Sequence, residues 1–418
     1  MNYKMHLTPE EEDILNGGKG ETMAKVMKTL VMYGDAFGAT KMVPVTSKMG
    51  HLVTSFGLGV MQPVYDLMDQ LIAGGAVSSQ KFSVDPKPLD PNVPSSFLKN
   101  IVFKKFMYNM QDSYDAQLAK LGLVDSKSYT CTCYMDEVGN IPNKGDVLSW
   151  AESSAVVYAN SVLGARCNRN SGIIELFGSI IGRVPYFGLV TDEGRKATWI
   201  VEVKTTKKPE AQILGSAIGK GLDKWIGTEL DGDAKAYLKD FGAATASNGA
   251  VGLYHIDGLT PEAVEQGESL IAEGAKVYVI DDAELDRVKN NYPVMWKDKN
   301  ATPKLCFVGC PHLSYDQLVE WTENVSEALK KNGRSKVSIP TVFTAAPAVV
   351  EKFNATPNAA KLKATGVVLS YICPLMYMNN PLAGKMPVIT NSNKLRTYTT
   401  SRYYTSAEIL DIITKEAK

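Results

Sequence analysis

Over its last third the chain repeats one pattern, a short apolar run followed by a helix-length amphipathic stretch, and this repeat leaves few folds open. The runs 251–256, 276–280, 304–308, 337–343 and 366–372 are strand-like, and the stretches 261–272, 282–290, 315–331 and 347–353 between them have helical character. Strands alternating with helices imply a parallel sheet with helices on its faces. Ligands of such a sheet bind beyond the carboxyl ends of its strands. Two of the expected strands end in the same dipeptide: 304–308 runs into Gly309-Cys310-Pro311-His312-Leu313-Ser314, and 366–372 runs into Cys373-Pro374. The first is expected to stop at its Gly-Cys-Pro turn before Ser314 opens a helix, and both thiols then point toward one rim.

A chain of 418 residues exceeds one simple core, so two or three domains are expected. The pattern suggests an N-terminal α/β region over 1–125, a central region over 126–245 and a doubly wound α/β region over 246–418. Forty-five basic residues balance 45 acidic ones, which argues against nucleic acid or an anionic membrane surface as a partner. No apolar run approaches the roughly 20 residues of a membrane span. The N-terminus leads into Glu10-Glu11-Glu12 rather than an apolar signal core, so the expected compartment is the cytoplasm. There the six cysteines, at 131, 133, 167, 306, 310 and 373, are expected as reduced thiols that pack or bind metal.

Earlier in the chain, Thr8-Pro9-Glu10-Glu11 is a helix start with a capping box, and Gly17-Gly18 is its stop. A second helix is expected over 21–33 and a strand over 42–45. His51 lies among glycines and reads as an ordinary loop residue or a base. Four prolines keep 85–94 irregular, and 97–121 is mostly helical. The run 129–134 is expected to be a buried strand with Cys131 and Cys133 on one face, as paired ligands or as one ligand and one packing residue. A helix is expected over 146–163, stopped by Gly164, then a strand over 198–204 and a helix over 210–222. Arg166 and Arg169, three apart beside Asn168 and Asn170, suit a bound carboxylate or phosphate because the guanidinium fork matches those groups. A solvated connecting loop is the alternative. Near the C-terminus, Thr390-Asn391-Ser392-Asn393-Lys394 follows an apolar run and is either a ligand-facing loop or a surface loop that satisfies its own backbone.

Three thiolates from well-separated segments, with a fourth corner open, suit an iron–sulfur cluster whose open corner acts as a Lewis acid on a substrate hydroxyl. Compact zinc sites favour close Cys-x2-Cys pairs, which this chain lacks. Cys306, Cys310 and His312 form a weaker, alternative zinc set.

Taken together, the segment around Cys131, the run from Ser153 to Arg166 with Asn168-Arg169, Gly309-Cys310-Pro311-His312, Cys373-Pro374 and Thr390-Asn391-Ser392 resemble the aconitase X family. This is the divergent dehydratase branch of the aconitase superfamily, and the resemblance is to its large-subunit catalytic region over nearly the whole chain. It implies an aconitase-like α/β fold, with several α/β/α subdomains and mostly parallel sheets around a central cluster site. It also implies an iron–sulfur cluster, of four-iron or two-iron type, held by Cys131, Cys310 and Cys373. Cys306 then faces the core, and His312 lies behind the ligands or at the helix start.

The implied activity is a hydro-lyase that removes water from a small hydroxy acid. Ser153, Ser154, Asn160, Arg166, Asn168, Arg169 and Ser392 would hold the substrate. The favoured substrate is cis-3-hydroxy-L-proline. The alternatives are mevalonate 5-phosphate, with this chain as a large subunit, or a non-catalytic metal-binding sensor subunit. Aconitase-like enzymes keep a catalytic serine on a small swivelling domain, for which the motifs leave no room. A separate small subunit is therefore expected to bring the base; otherwise His51 or Lys394 serves. The chain departs from the family pattern at Cys133, at Cys167 and at Leu395-Arg396-Thr397-Tyr398.

Overall fold

The structure is a computed structural model that describes residues 3–54, 57–90, 92–93, 101–214 and 223–416. Parts of the expected loop 85–94 and of the expected helices 97–121 and 210–222 lie outside the described residues. The described strands are β1 (Met42–Pro44), β2 (Gly50–Leu52), β3 (Phe82–Val84), β4 (Arg183–Pro185), β5 (Ala197–Val203), β6 (Ile271–Ile280), β7 (Leu305–Leu313), β8 (Thr341–Ala345), β9 (Val368–Ser370), β10 (Val388–Thr390) and β11 (Arg402–Tyr403). Five of them form a sheet in the order β11-β10-β7-β8-β9, every pair parallel. The small sheets β2-β3 and β5-β6 are also parallel, and β1-β4 is antiparallel. This is the α/β class with mostly parallel sheets.

β7 is the centre of the large sheet and is buried along its whole length, as a parallel strand covered on both faces must be. Its side chains alternate. Cys306 and Val308 meet Leu318, Trp321, Val325 and Phe353 on one face, while Leu305 and Phe307 meet Tyr377 and Leu395 on the other. The helix Tyr315–Lys331 starts at a capping box between Ser314 and Gln317 and lays Leu318, Trp321, Val325 and Leu329 on the sheet at helical spacing. The Thr8–Glu11 capping box starts the helix Pro9–Leu15 in the same way.

β7 does not stop at Gly309. It continues to Leu313 through an irregular stretch in which its register against β8 shifts between Val308 and Leu313. Gly309 has φ +106°, and a Cβ there would collide with the Thr344 carbonyl; glycine takes that conformation without steric cost. The Cys310–Pro311 peptide is cis.

Several expected elements take other forms. Residues 251–256 are irregular because the backbone is held from outside, with Tyr254 N donating to Ser161 Oγ at 2.9 Å. The run 276–280 falls in β6, which pairs with β5 and not with the large sheet. Residues 129–134 are buried, but only Tyr129 bridges to Val84. Beyond it Thr132 N donates to Thr130 Oγ1 at 3.0 Å, a local side-chain bond that displaces a ladder. Helix replaces only part of 146–163, over Ser153–Ser161, because Leu148 N is bonded to Arg166 O and Arg166 N to Asp146 O. His51 lies in β2 rather than in a loop. A helix at Pro357–Ala364 was not anticipated. Among the described residues, no helix is long and apolar enough to cross a membrane.

Candidate active site

A cavity of about 190 Å³ opens where β7 and β9 end, and Cys131, Cys310, Cys373, Asp85, Glu152 and Lys394 line it together with the apolar Val53, Pro86, Leu375 and Met376. Cys310 follows Gly309 in β7. Cys373 caps the short helix Pro374–Met378, and its N–H donates to Lys87 O at 2.8 Å. Cys131 comes from the turn after Tyr129. Burial raises all three thiols; Asp85 adds to the effect at Cys131, the Cys310 thiol adds to it at Cys373, and Lys394 opposes it at Cys310. The remaining cysteines lie elsewhere: Cys306 faces the core beside Val308, and Cys133 and Cys167 pack with Trp150. Among the described residues, no three His, Cys, Asp or Glu side chains converge tightly enough to hold a single metal ion.

Across the cavity lies a buried ion pair. Glu152 caps the helix Ser153–Ser161, accepting from Ser154 N at 2.9 Å and from Ser154 Oγ at 2.5 Å. Lys394, in the first turn of the helix Asn393–Tyr398, donates to Glu152 and lies 3.3 Å from Ser154 Oγ. Burial alone would raise Glu152, but Lys394 and Ser154 outweigh it and hold the carboxyl down to about 2. Burial likewise works against the Lys394 charge, and Glu152, followed by the thiols of Cys310 and Cys131, keeps its pKa above the ordinary lysine value. The pair therefore stays charged in the neutral range.

Asp85, just past β3, is backed by a chain of polar groups. Asn140 Nδ2 donates to Ser83 Oγ at 2.9 Å, so the Ser83 hydroxyl is free to donate to His51 Nδ1, also at 2.9 Å. His51 Nε2 then carries the ring proton toward Asp85 Oδ1, 3.2 Å away. Burial, reinforced by the Glu152 carboxylate, raises Asp85 well above the usual carboxylate range. Both effects favour the protonated form of Asp85 over the carboxylate.

The other residues singled out in the sequence sit as follows. Ser154 borders the ion pair, and Ser153 opens the same helix, half-buried. Ser392 donates to the Cys310 carbonyl and caps the Lys394 helix, accepting from Leu395 N at 3.0 Å. Asn160 is buried, its amide donating to the carbonyls of Cys167 and Gly252 and accepting from Cys167 N, each at 2.8 Å. Asn168 binds the 187–189 backbone, and Arg166 pairs with Asp192 and Val190 O. Arg169 rests its aliphatic stem near Gly252, and its guanidinium makes no hydrogen bond or ion pair among the described residues. None of Asn160, Arg166, Asn168 and Arg169 lines the cavity.

Glu152 and Asp85 are the groups that sequence reasoning passed over. The available signals were a carboxylate immediately before a helix start and an aspartate immediately after a strand. A larger cavity of about 320 Å³ lies against β5, lined in part by Arg195, Trp199 and His255. It contains no cysteine, and its Arg195 is already paired with Glu262 at 2.7 Å, so the smaller cavity is the chemical one.

A parallel α/β sheet whose strand ends gather thiols, a lysine–carboxylate pair and a backed aspartate around one cavity is the architecture of an enzyme. Family models for the aconitase X first domain and second domain match residues 4–193 and 197–290. The chain is 33% identical over 349 residues to the phosphomevalonate dehydratase large subunit of Thermococcus kodakarensis, covering 82% of each chain. It is 29% identical over 410 residues to the protein of the same name from Methanocaldococcus jannaschii, covering 94% of this chain and 95% of that one. Against the cis-3-hydroxy-L-proline dehydratase of Pseudomonas aeruginosa it is 28% identical over 291 residues, 67% of this chain and 48% of that protein. The crystal structure of Thermococcus kodakaraensis aconitase X in its holo-form matches with a TM-score of 0.77 at 27% identity, over 98% of this chain and 100% of that one. The chain belongs to the aconitase X family. It is a hydro-lyase of the aconitase X type.

Proposed function

We propose that this chain is the large subunit of a two-subunit dehydratase acting on mevalonate 5-phosphate. The observation that carries the catalytic reading is the meeting of Cys131, Cys310 and Cys373 with Asp85, Glu152 and Lys394 on one cavity. The substrate reading rests on the relatives. Those named phosphomevalonate dehydratase large subunit align with this chain over most of both lengths. The match to the Pseudomonas enzyme fills a much smaller share of that protein than of this chain, which is a longer polypeptide with room for a further domain. A separate small subunit would supply that part here, and with it the base that takes the proton from carbon. Cis-3-hydroxy-L-proline is the second reading, supported by the likeness to the Pseudomonas enzyme of that name.

Cys131, Cys310 and Cys373 would hold an iron–sulfur cluster of four-iron or two-iron type. The donor set fits: the thiols come from separate segments, and among the described residues they do not form the tight group a single zinc ion needs, which suits a cluster that spreads its cysteine ligands over more than one iron. When bound, such a cluster supplies a Lewis-acidic iron for the substrate hydroxyl. Asp85 carries a proton to the departing hydroxyl oxygen, so that it leaves as water, and His51 holds Asp85 in place from behind. Lys394 presents its charge to the substrate carboxylate, while Glu152 and Ser154 keep the ammonium charged and aimed. Arg169 does not line the cavity, but its guanidinium has no partner among the described residues, and it is the arginine we assign to the anionic group at the far end of the substrate. The free thiols fit a reducing compartment, and we place the enzyme in the cytoplasm.

The test is turnover of the anaerobically purified chain with its small subunit on mevalonate 5-phosphate and, in parallel, on cis-3-hydroxy-L-proline. The proposal expects turnover of the first, with kcat/KM falling about 100-fold or more in Arg169→Ala through loss of a charged contact. Turnover of the hydroxyproline alone would overturn the substrate reading.

A further inference from the structure

The three cavity cysteines are far apart in the chain, and among the described residues no strand pairing joins the Cys131 turn directly to β7. His312 makes that connection. It is fully buried, its Nδ1 lies 3.0 Å from Thr130 Oγ1 and its Nε2 lies 3.0 Å from the Ile372 carbonyl oxygen. Thr130 immediately precedes Cys131, Ile372 immediately precedes Cys373, and His312 itself stands two residues after Cys310. One imidazole therefore touches the chain beside all three thiols.

The partners fix how the ring is used. A carbonyl only accepts, so Nε2 carries the hydrogen and donates to Ile372; Nδ1 is then left to accept from the Thr130 hydroxyl. Thr130 Oγ1 in turn accepts from Thr132 N at 3.0 Å, which closes the turn that presents Cys131. The backbone of His312 is held as well. Lys239, fully buried on the helix Gly232–Gly249, donates to the His312 carbonyl at 3.0 Å and to Asp240 Oδ1 at 2.7 Å. Every polar atom of the histidine side chain is thus engaged with one of the two other cysteine segments.

We propose that His312 is the positioning residue that sets the mutual spacing of Cys131, Cys310 and Cys373, clamping three distant segments into one ligand set before any metal arrives. The inference rests on the reading of those three cysteines as ligands of a shared cluster. Groups that orient metal ligands through hydrogen bonds typically change metal affinity by about 10- to 100-fold when removed.

The test uses the full chain in two states. In the metal-free, reduced chain, amide hydrogen exchange is followed in peptides spanning 130–133 and 372–374. In the iron-loaded chain, the rate of iron loss to a chelator is followed. His312→Ala is expected to speed exchange in both segments by about fivefold, the shift that losing one hydrogen bond gives, with β8 unchanged. The same variant should lose iron about 10- to 100-fold faster. His312→Gln, whose amide can donate to Ile372 and accept from Thr130, should restore both readouts toward wild type. Unchanged exchange in both segments of His312→Ala would overturn the clamp, whatever the iron does. If the wild-type chain takes up no iron, the cluster reading fails, and the exchange pattern alone still decides whether His312 clamps. Should His312→Ala not fold, Thr130→Val replaces it: loosening at 130–133 with protection kept at 372–374 and faster iron loss supports the clamp, and wild-type iron retention overturns it.

Discussion

The two walls of the cavity are built by different means. On the sheet side, Cys310 stands in the irregular last part of β7, and Cys373 and Lys394 lie shortly after β9 and β10, strands of one parallel sheet. The ladder carries these segments to one rim, and the contact of His312 with the Ile372 carbonyl completes the placement of Cys373. On the facing side, Asp85, Cys131 and Glu152 stand on irregular backbone or at a helix start. They are placed by side-chain bonds from His51, Thr130 and Ser154. The sheet wall should therefore break through changes to ligands or backbone, whereas the facing wall should yield to the loss of a single hydroxyl.

The largest effects should ignore the difference. Cys131→Ala, Cys310→Ala and Cys373→Ala should each abolish iron retention and turnover, by metal analysis and by assay, because one ligand from either wall is indispensable. Equal iron content in any of them would remove that cysteine from the set. Next comes the ion pair that joins the walls. Lys394→Met leaves a buried carboxylate unpaired and should lower stability by about 3–5 kcal/mol in urea unfolding. Combining it with Glu152→Gln should recover most of the stability but none of the turnover, the signature of a coupled pair.

The same pair sets an acid limit. Glu152 has a folded pKa of about 2, below its ordinary value of 4.5, so its stabilisation is complete above the unfolded pKa and is lost as pH falls toward the folded one. That contribution is about 3 kcal/mol in order of magnitude. Unfolding free energy measured between pH 5 and pH 2, a range set by those pKa values, should fall more steeply in wild type than in Glu152→Gln.

Gly309→Ala probes the sheet wall through its backbone. With φ +106° and the Thr344 carbonyl in the way, it should cost about 2 kcal/mol or more and slow turnover with it. The smallest effect belongs to the facing wall. Ser83→Ala removes one hydroxyl behind His51 and should cost about 1 kcal/mol, yet turnover should drop by more than stability does, because Asp85 loses its orientation.

The sheet wall was legible in the sequence and the facing wall largely was not. Apolar runs ending in Cys-Pro announced Cys310 and Cys373, since strand ends are where local pattern and tertiary position coincide. Lys394 was visible as a polar residue after β10. Its partner was not, because Glu152 lies 242 positions away and nothing local distinguishes a capping carboxylate from one that also holds a lysine. Asp85 was hidden in a proline-rich loop; His51 was visible as an ordinary residue or a base, but its place behind Asp85 was not, because the link through Ser83 and Asn140 exists only in three dimensions. Residues 251–256 read as a strand because composition reports burial, and burial here comes with irregular backbone held by Ser161. The donor-rich loop around Asn160, Arg166 and Asn168 reads the same whether its donors serve a ligand or the chain itself. The structure engages those three internally and leaves Arg169 open.

The most direct measurement is iron and acid-labile sulfide per chain after anaerobic purification, for wild type and for the triple variant Cys131→Ala/Cys310→Ala/Cys373→Ala. The account expects both elements in wild type and neither in the triple variant. Iron and sulfide retained by the triple variant, or iron-free wild-type chain that dehydrates substrate at full rate, would contradict it.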